Sequence, residues 1–307
     1  EHVAVVNRLA VLEDEMERMT AALALGGSPA DTVPPPSEPG PAQATAGHPS
    51  LSLHVLDEGL FVLKTGDLIS ETAIRTGHWD PHILRAADRV AALRPEGRGV
   101  DAGAQFGLLT VPLARRFARV TSFEPNRYSA SLLVANVALN GLSDRVAICR
   151  DALFSRATQL SLAQPSRQEI PLSVTPEGQF DPAATSNIGA YSFAERGTQI
   201  YESNAVALDS LALDDVAFLK IDVQGADGEV VMGALATIER CRPWVAFEWE
   251  EALSRNFGTS LAQVIQAMEA RGYRVAVLHR HNEKQADYLA FPSEQSGHTA
   301  GLLPDAA

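Results

Sequence analysis

Apolar residues near the start of the chain recur at Val5, Leu9, Leu12, Met16, Met19 and Leu23, with gaps of four, three, four, three and four. That a/d heptad spacing predicts an α-helix over residues 1–25 that pairs with another copy as a coiled coil, making the protein a homo-oligomer. In this register Arg8 falls at g and Glu13 at the following e, where opposite charges face each other in a parallel dimer. A lone amphipathic helix lying on its own domain would show the same spacing. Gly26 and Gly27 end the helix. Residues 26–50 have no apolar period and hold seven of the chain's 18 prolines. They read as a Pro-rich, semi-extended linker.

From residue 51 to residue 292 the pattern becomes that of one globular domain. Short β-branched runs alternate with helical spacing. Strands are predicted to end at Asp101 and to cover 120–124, 146–149, 216–222 and 244–248. Helices are predicted over 108–117, 129–139, 229–240 and 260–271. Two last strands, 273–278 and 286–291, have no helix between them and must form a hairpin, so the final strand runs antiparallel. This order predicts an α/β fold: a doubly wound, mostly parallel sheet whose ligand lies at the carboxyl ends of the strands. Residues 155–206 interrupt the alternation and read as an insertion of turns and hairpins beside the binding crevice. Residues 293–307 lack pattern and read as a flexible tail.

Composition narrows the function. The 307 residues carry 38 Asp and Glu against 25 Lys and Arg, a net charge of −13. That balance argues against a nucleic-acid-binding protein. Two cysteines, Cys149 and Cys241, are too few for a disulfide scaffold and point to a reducing, cytoplasmic setting. No apolar run approaches the ~20 residues of a transmembrane helix.

The candidate chemistry sits at predicted strand ends. The first strand runs into Asp101-Ala102-Gly103-Ala104-Gln105-Phe106-Gly107, two glycines that let the backbone turn tightly beside a ligand. It lacks the third glycine of a dinucleotide fingerprint, and Asp101 would repel a pyrophosphate but suit a cationic ligand such as S-adenosylmethionine. A tight turn carrying an exposed Asp is the simpler alternative. The second strand ends in Glu124-Pro125-Asn126, where a carboxylate can bond both ribose hydroxyls. A helix-capping role is the alternative there. Asp151-Ala152 follows the third strand, and its carboxylate could reach an adenine amino group. The fourth strand delivers Lys220 and Asp222 on one side, where they could orient or deprotonate an acceptor hydroxyl. A plain buried ion pair would look the same. Glu248, ending the fifth strand, is a further candidate base.

Taken together, the run 101–107, Phe123-Glu124-Pro125-Asn126, Asn136-Val137-Ala138-Leu139-Asn140-Gly141-Leu142, Leu208-Asp209-Ser210-Leu211 and Lys220-Ile221-Asp222-Val223-Gln224-Gly225-Ala226-Asp227 resemble the motif series of the FkbM-type methyltransferases, in order and in spacing. The resemblance covers roughly residues 60–291. It implies a class I, Rossmann-like fold, S-adenosylmethionine as cofactor, and O-methylation of a sugar, polysaccharide or secondary metabolite. Strand-end placement and the motifs together give expected cofactor contacts at Asp101, Gly103, Ala104, Phe106, Gly107, Glu124, Pro125, Asn126, Asp151, Ala152 and Asp222, with Asp222, Lys220 and Glu248 as catalytic candidates. Asn187–Ser192 and Thr76–Pro81 resemble the family's segments near acceptor and cofactor. Gln224 and Asp227 stand where the family usually has Glu, which puts in doubt a metal or base role for the carboxylates the family carries at those two positions. No metal site is expected. His279, His281 and Glu283 form the one candidate trio, and a surface turn accounts for them more simply. His54, His78 and His82 are further candidate bases. The alternatives to this reading are an NAD-dependent Rossmann oxidoreductase and a non-catalytic methyltransferase-like scaffold.

Overall fold

A computed structural model describes residues 51–162, 187–191, 193–194 and 201–304. The expected coiled-coil helix and linker lie outside the described residues, as do 163–186 and 195–200 of the insertion.

A hairpin opens the described chain: β1 (Leu51–Leu56) pairs antiparallel with β2 (Gly59–Lys64). Helices α1 (Leu68–Thr76) and α2 (Pro81–Leu93) follow. The alternating part comprises β3 (Arg98–Ala102), α3 (Thr110–Arg116), β4 (Arg119–Phe123), α4 (Arg127–Leu139) and β5 (Val146–Cys149). The insertion contributes β6 (Ala152–Leu153), β7 (Thr158–Leu162), β8 (Phe193–Ala194) and β9 (Glu202–Val206), a small sheet ordered β6-β9-β7-β8. Then come β10 (Val216–Ile221), α5 (Asp227–Met232), α6 (Leu235–Cys241), β11 (Trp244–Glu250), α7 (Glu251–Ser254), α8 (Leu261–Glu269), β12 (Tyr273–Asn282) and β13 (Gln285–Pro292).

The main sheet has seven strands in the order β12-β13-β11-β10-β3-β4-β5. From β11 to β5 every pair is parallel, and β13 is antiparallel to both its neighbours. This is the predicted class I methyltransferase-type sheet, with its reversal of strand order between β3 and β10. Strand β10 is buried along its whole length, as a central strand covered on both faces must be. Phe218 stacks on Phe117, which ends α3, while Leu219 and Ile221 face Val230, Val231 and Ile238 of α5 and α6. Two apolar layers therefore clamp the sheet, and the polar strand ends emerge at one rim.

Several elements differ from the sequence pattern. The helix expected over 229–240 is two helices, α5 and α6, broken at Gly233. A Cβ there would stand 2.1 Å from the Phe154 carbonyl oxygen, so the chain bends where it meets the insertion. Asp209 restarts the helix, accepting the Ala236 and Thr237 backbone N–H groups at 2.9 and 2.7 Å. The final hairpin strands run longer than expected because the turn is confined to Glu283 and Lys284. Residues 293–298, expected as tail, form a 3-10 helix. It is tied down by Trp244, whose indole N–H donates to Gln295 Oε1 at 2.6 Å. No helix among the described residues is long and apolar enough to cross a membrane.

The Asn136–Leu142 motif has a structural meaning. Asn136, fully buried on α4, accepts the Val62 N–H at 2.7 Å and donates to the carbonyls of Val62 and Phe106. Asn140 holds Leu60 by both its backbone groups. Two asparagines thus fasten the β1–β2 hairpin to the main domain. Asn136→Ala leaves three buried backbone groups unpaired, each worth about 1–3 kcal/mol. We expect a loss of about 3 kcal/mol or more, lowering Tm by roughly 5–10 °C in thermal unfolding. A shift under about 1 °C would refute the clamp.

Candidate active site

The rim of the sheet opens into a crevice where β3, β4 and β10 end. About 930 Å³ of space free of atoms lies there, open to solvent on one side. Its base is the turn after β3. Gly103 adopts φ +77°, and a Cβ on it would fall 1.8 Å from the Asp222 carbonyl oxygen, so only glycine lets the turn press against the end of β10. Ala104, Pro125, Asn126 and Ala152 line the crevice, as expected, with Leu109, Phe123, Leu153 and Leu160 as apolar wall. Trp79, Ile188, Gly189 and Tyr191 complete it from the segments before β3 and within the insertion. Asp67 braces them: one carboxylate oxygen caps α1 through the Ser70 N–H, and the other accepts the Ile188 N–H at 2.9 Å.

Glu124 is 7% exposed and lines the crevice. One carboxylate oxygen accepts the Asn126 N–H at 2.8 Å and the other the Gln105 N–H at 2.7 Å. Each oxygen keeps a further lone pair for a ligand. Burial pushes its pKa up to about 7, against the pull of those two N–H groups. Asn126 also caps α4, accepting the Tyr128 N–H at 3.0 Å, so the helix-capping alternative for this motif is met by Asn126. Gln105, a crevice residue the sequence reading passed over, has a buried amide nitrogen without a partner. Its φ of +47° in the glycine turn is the one local oddity that marks it.

Four expected cofactor residues do not line the crevice. Asp101 is fully buried, accepts the Thr110 hydroxyl at 2.6 Å and pairs with Lys220 at 3.1 Å. Its charge is neutralised inside the domain and is not offered to a ligand. Phe106 is buried beneath the turn, where its carbonyl takes the Asn136 amide. Gly107 is a packing glycine, since a Cβ would stand 2.8 Å from Leu133 Cδ1. Asp151 faces a separate surface hollow beside Arg127 and Arg150, because alternation turns it away when Ala152 points inward.

Lys220 also takes a different part from the one expected. Besides Asp101, its Nζ meets the carbonyls of Ala102 at 3.3 Å and Gly103 at 2.8 Å. The ammonium thus makes two hydrogen bonds to the turn and one ion pair with Asp101. Burial alone would favour the neutral amine, but the Asp101 and Asp222 charges hold its pKa above the usual lysine value. Lys220 is a positioning residue that fixes the glycine turn, not a proton carrier.

Asp222 and Glu248 fare differently. Asp222 lines the crevice and also a second, polar cavity beside it. Trp79 and Gln224 are shared in the same way. The Gln224 amide donates to Asp222 Oδ1 at 3.1 Å, with Gln224 at φ +56°. Burial raises the Asp222 pKa, Lys220 opposes the rise and Asp287 adds to it. Glu248 lines the second cavity and accepts the Gln285 amide at 2.7 Å. Burial, then the Asp222 and Asp227 charges, raise its pKa well above the usual value. Asp227 is fully buried and accepts the N–H groups of Val223 and Gly225, so it shapes the Gln224 turn from below. Burial lifts its pKa to about 7.

The second cavity also gathers residues from both ends of the domain. His78 and Asp80 come from the segment before α2, His82 from its first turn, His279 and His281 from β12, and Asp287 from β13. Asp80 is held at φ +43°, and its side chain makes no cap bond to the helix it precedes. Burial and the Asp287 and Asp222 charges bring its pKa to about 7. Glu283, expected beside the two late histidines, lies in the hairpin turn and lines no described cavity.

Removing the lysine charge leaves Asp101 buried without its partner. Lys220→Met is expected to cost about 3–5 kcal/mol in denaturant unfolding. A loss below about 1 kcal/mol would contradict the positioning role.

No curated protein sequence matches the chain. Among solved structures it is similar to a methyltransferase FkbM from Methylobacillus flagellatus KT, at 15% identity and a TM-score of 0.43. That match covers 64% of this chain and 43% of the other, so the chain spans less than half of that protein. It is also similar to TYW2 from M. jannaschii in complex with AdoMet (14% identity, 81% and 87% covered, TM-score 0.41) and to an rRNA methylase from Streptococcus thermophilus (10%, 68% and 94%, 0.41). These likenesses are too distant to carry an argument about chemistry. The sequence profile of the methyltransferase FkbM domain, by contrast, matches residues 101–275, from the Asp101 turn through the end of α8 and into β12. More than half of the chain is thereby covered, and the chain belongs to the FkbM methyltransferase domain family.

Proposed function

We propose that the protein is an S-adenosylmethionine-dependent O-methyltransferase acting on a hydroxyl of a sugar, polysaccharide or secondary metabolite. The observation that carries this reading is the pair of cavities meeting at Trp79, Asp222 and Gln224. The crevice residues fit the cofactor. Glu124 keeps two free lone pairs where ribose hydroxyls would be held. Phe123, Ala152 and Leu153 offer an apolar wall for the base, and Gln105 has an amide nitrogen to spare. When bound, S-adenosylmethionine supplies a methyl group on a positively charged sulfur, which departs as a neutral thioether. The polar second cavity takes the acceptor, a glycan or small molecule rather than nucleic acid.

Asp222 lies at the seam and is the proposed base. An acceptor hydroxyl loses its proton as its oxygen gains the methyl carbon, and a carboxylate with a raised pKa is well matched to receive that proton near neutral pH. Glu248, held by Gln285, orients the hydroxyl from the acceptor side. Much of the barrier is lowered by alignment, which the rigid strand ends provide. Homo-oligomerisation through residues 1–25 and a cytoplasmic setting belong to the same reading.

Asp222→Asn should lower turnover by roughly 100-fold or more while binding of S-adenosylhomocysteine in calorimetry stays within a few-fold. Full turnover with weakened binding would remove Asp222 as the base. Ionised Glu124 accepts ribose hydroxyls better than its neutral form, and its pKa near 7 means protonation as pH falls through neutrality. Affinity for S-adenosylhomocysteine should therefore weaken from pH 8 to pH 6, and Glu124→Gln should flatten that profile. An unchanged slope in the variant would assign the effect elsewhere.

A further inference from the structure

The second cavity carries a negative excess. Five of its lining residues are acidic, Asp80, Asp222, Glu248, Glu250 and Asp287, and none is Lys or Arg. Four histidines accompany them.

Within this cavity three donor atoms converge. His82 Nε2 lies 2.6 Å from Asp287 Oδ2, and His281 Nε2 lies 2.8 Å from the same oxygen. One ligand atom from each residue falls within 4.8 Å of the others. The three residues come from different elements: the first turn of α2, β12 and β13. Their meeting is built by the fold, not by sequence proximity. His281 sits at a register shift of the final hairpin, between Arg280 and Asn282. Such a bulge re-aims a side chain, here onto Asp287. His279 supports the group from the side, its ring stacked on His82 at 4.5 Å between centroids.

We propose that His82, His281 and Asp287 bind a divalent first-row transition-metal ion on the wall of the acceptor cavity. Ligand atoms each ~2.0–2.1 Å from one ion stand roughly 3 Å apart, so Asp287 Oδ2 must draw back slightly from both imidazoles, and the widest pair of ligand atoms, now within 4.8 Å, must close in around the ion. Two imidazoles and one carboxylate leave coordination positions open. His82 and Asp287 are almost closed to solvent, at 6% and 7% exposure, while the His281 side chain is 31% exposed. The open positions therefore face the cavity, where an acceptor oxygen can enter. Imidazole ligands favour ions such as Co²⁺, Ni²⁺ and Zn²⁺ over Mg²⁺ and Ca²⁺. A dication also offsets the surrounding carboxylates. Coordinated to it, an acceptor hydroxyl gives up its proton more readily, and Asp222 receives it. This role in methyl transfer rests on the function proposed above, whereas binding of the ion does not.

The test is a titration of the full chain, stripped with a chelator and desalted, with Co²⁺. Calorimetry reads the stoichiometry and visible absorption reads the coordination. One Co²⁺ per chain is expected, with d–d bands of nitrogen ligation that excess Mg²⁺ does not abolish. His281→Ala changes a partly exposed side chain and should keep the fold. It is expected to weaken Co²⁺ binding by more than roughly 100-fold, beyond the loss caused by an outer-shell change. Binding of S-adenosylhomocysteine to that variant should match the unaltered chain. Absence of stoichiometric Co²⁺ binding, or equal affinity in His281→Ala, would overturn the site. If Co²⁺ binds as expected but S-adenosylhomocysteine does not, the methyltransferase reading fails while the metal site stands.

Discussion

A buried ammonium holds the functional end of this sheet together. Lys220 reaches from β10 across the point where strand order reverses, pairs with Asp101 on β3, and meets the carbonyls that open the glycine turn. Without a cation there, the Asp101 carboxylate would be an uncompensated charge at the centre of the domain. With it, the turn is pinned to β10, Gly103 rests on the Asp222 carbonyl, and the crevice has a fixed base. A rigid base matters for the proposed reaction, because transfer of an activated methyl gains most from alignment.

From this anchor the polar groups divide in two directions. On the β4 side, Glu124 meets two backbone N–H groups and presents its remaining lone pairs to a ligand. On the β11 and β13 side, carboxylates accumulate with histidines, and no Lys or Arg lines that cavity. Asp222 stands between them. The chain's acidity is thus not only a surface property. Part of it is concentrated in one cavity, where it favours cationic ligands, and part is cancelled internally by Lys220.

The architecture was legible because the strands are short, β-branched and central, and because a hairpin without a helix forces the antiparallel last strand. Gly103, Ala104, Glu124, Pro125, Asn126, Ala152 and Asp222 reach the crevice as strand-end logic requires. Asp101 and Lys220 show where that logic stops. A sequence gives two opposite charges near strand ends but not that adjacent strands place them 3.1 Å apart, where they satisfy each other. Asp151 was misplaced by one step of alternation. The histidine cluster was half visible: His279 and His281 stand out on one strand face, yet their partners are His82 and Asp287. His82 lies about 200 residues away in sequence, and only the fold sets it at the first turn of α2 within reach of the hairpin. The β1–β2 hairpin lies before the alternating pattern begins, and its attachment through Asn136 and Asn140 is a matter of side chain to backbone bonds.

Family membership removes the nicotinamide-dependent oxidoreductase as a reading of the fold, and the claim that remains central is that the crevice holds an adenosyl methyl donor. Calorimetric titration of the full chain with S-adenosylmethionine and, separately, with NAD tests it most directly. One S-adenosylmethionine bound per chain, with no heat of binding from NAD, is the result predicted. Binding of NAD, or no binding of S-adenosylmethionine, would contradict it.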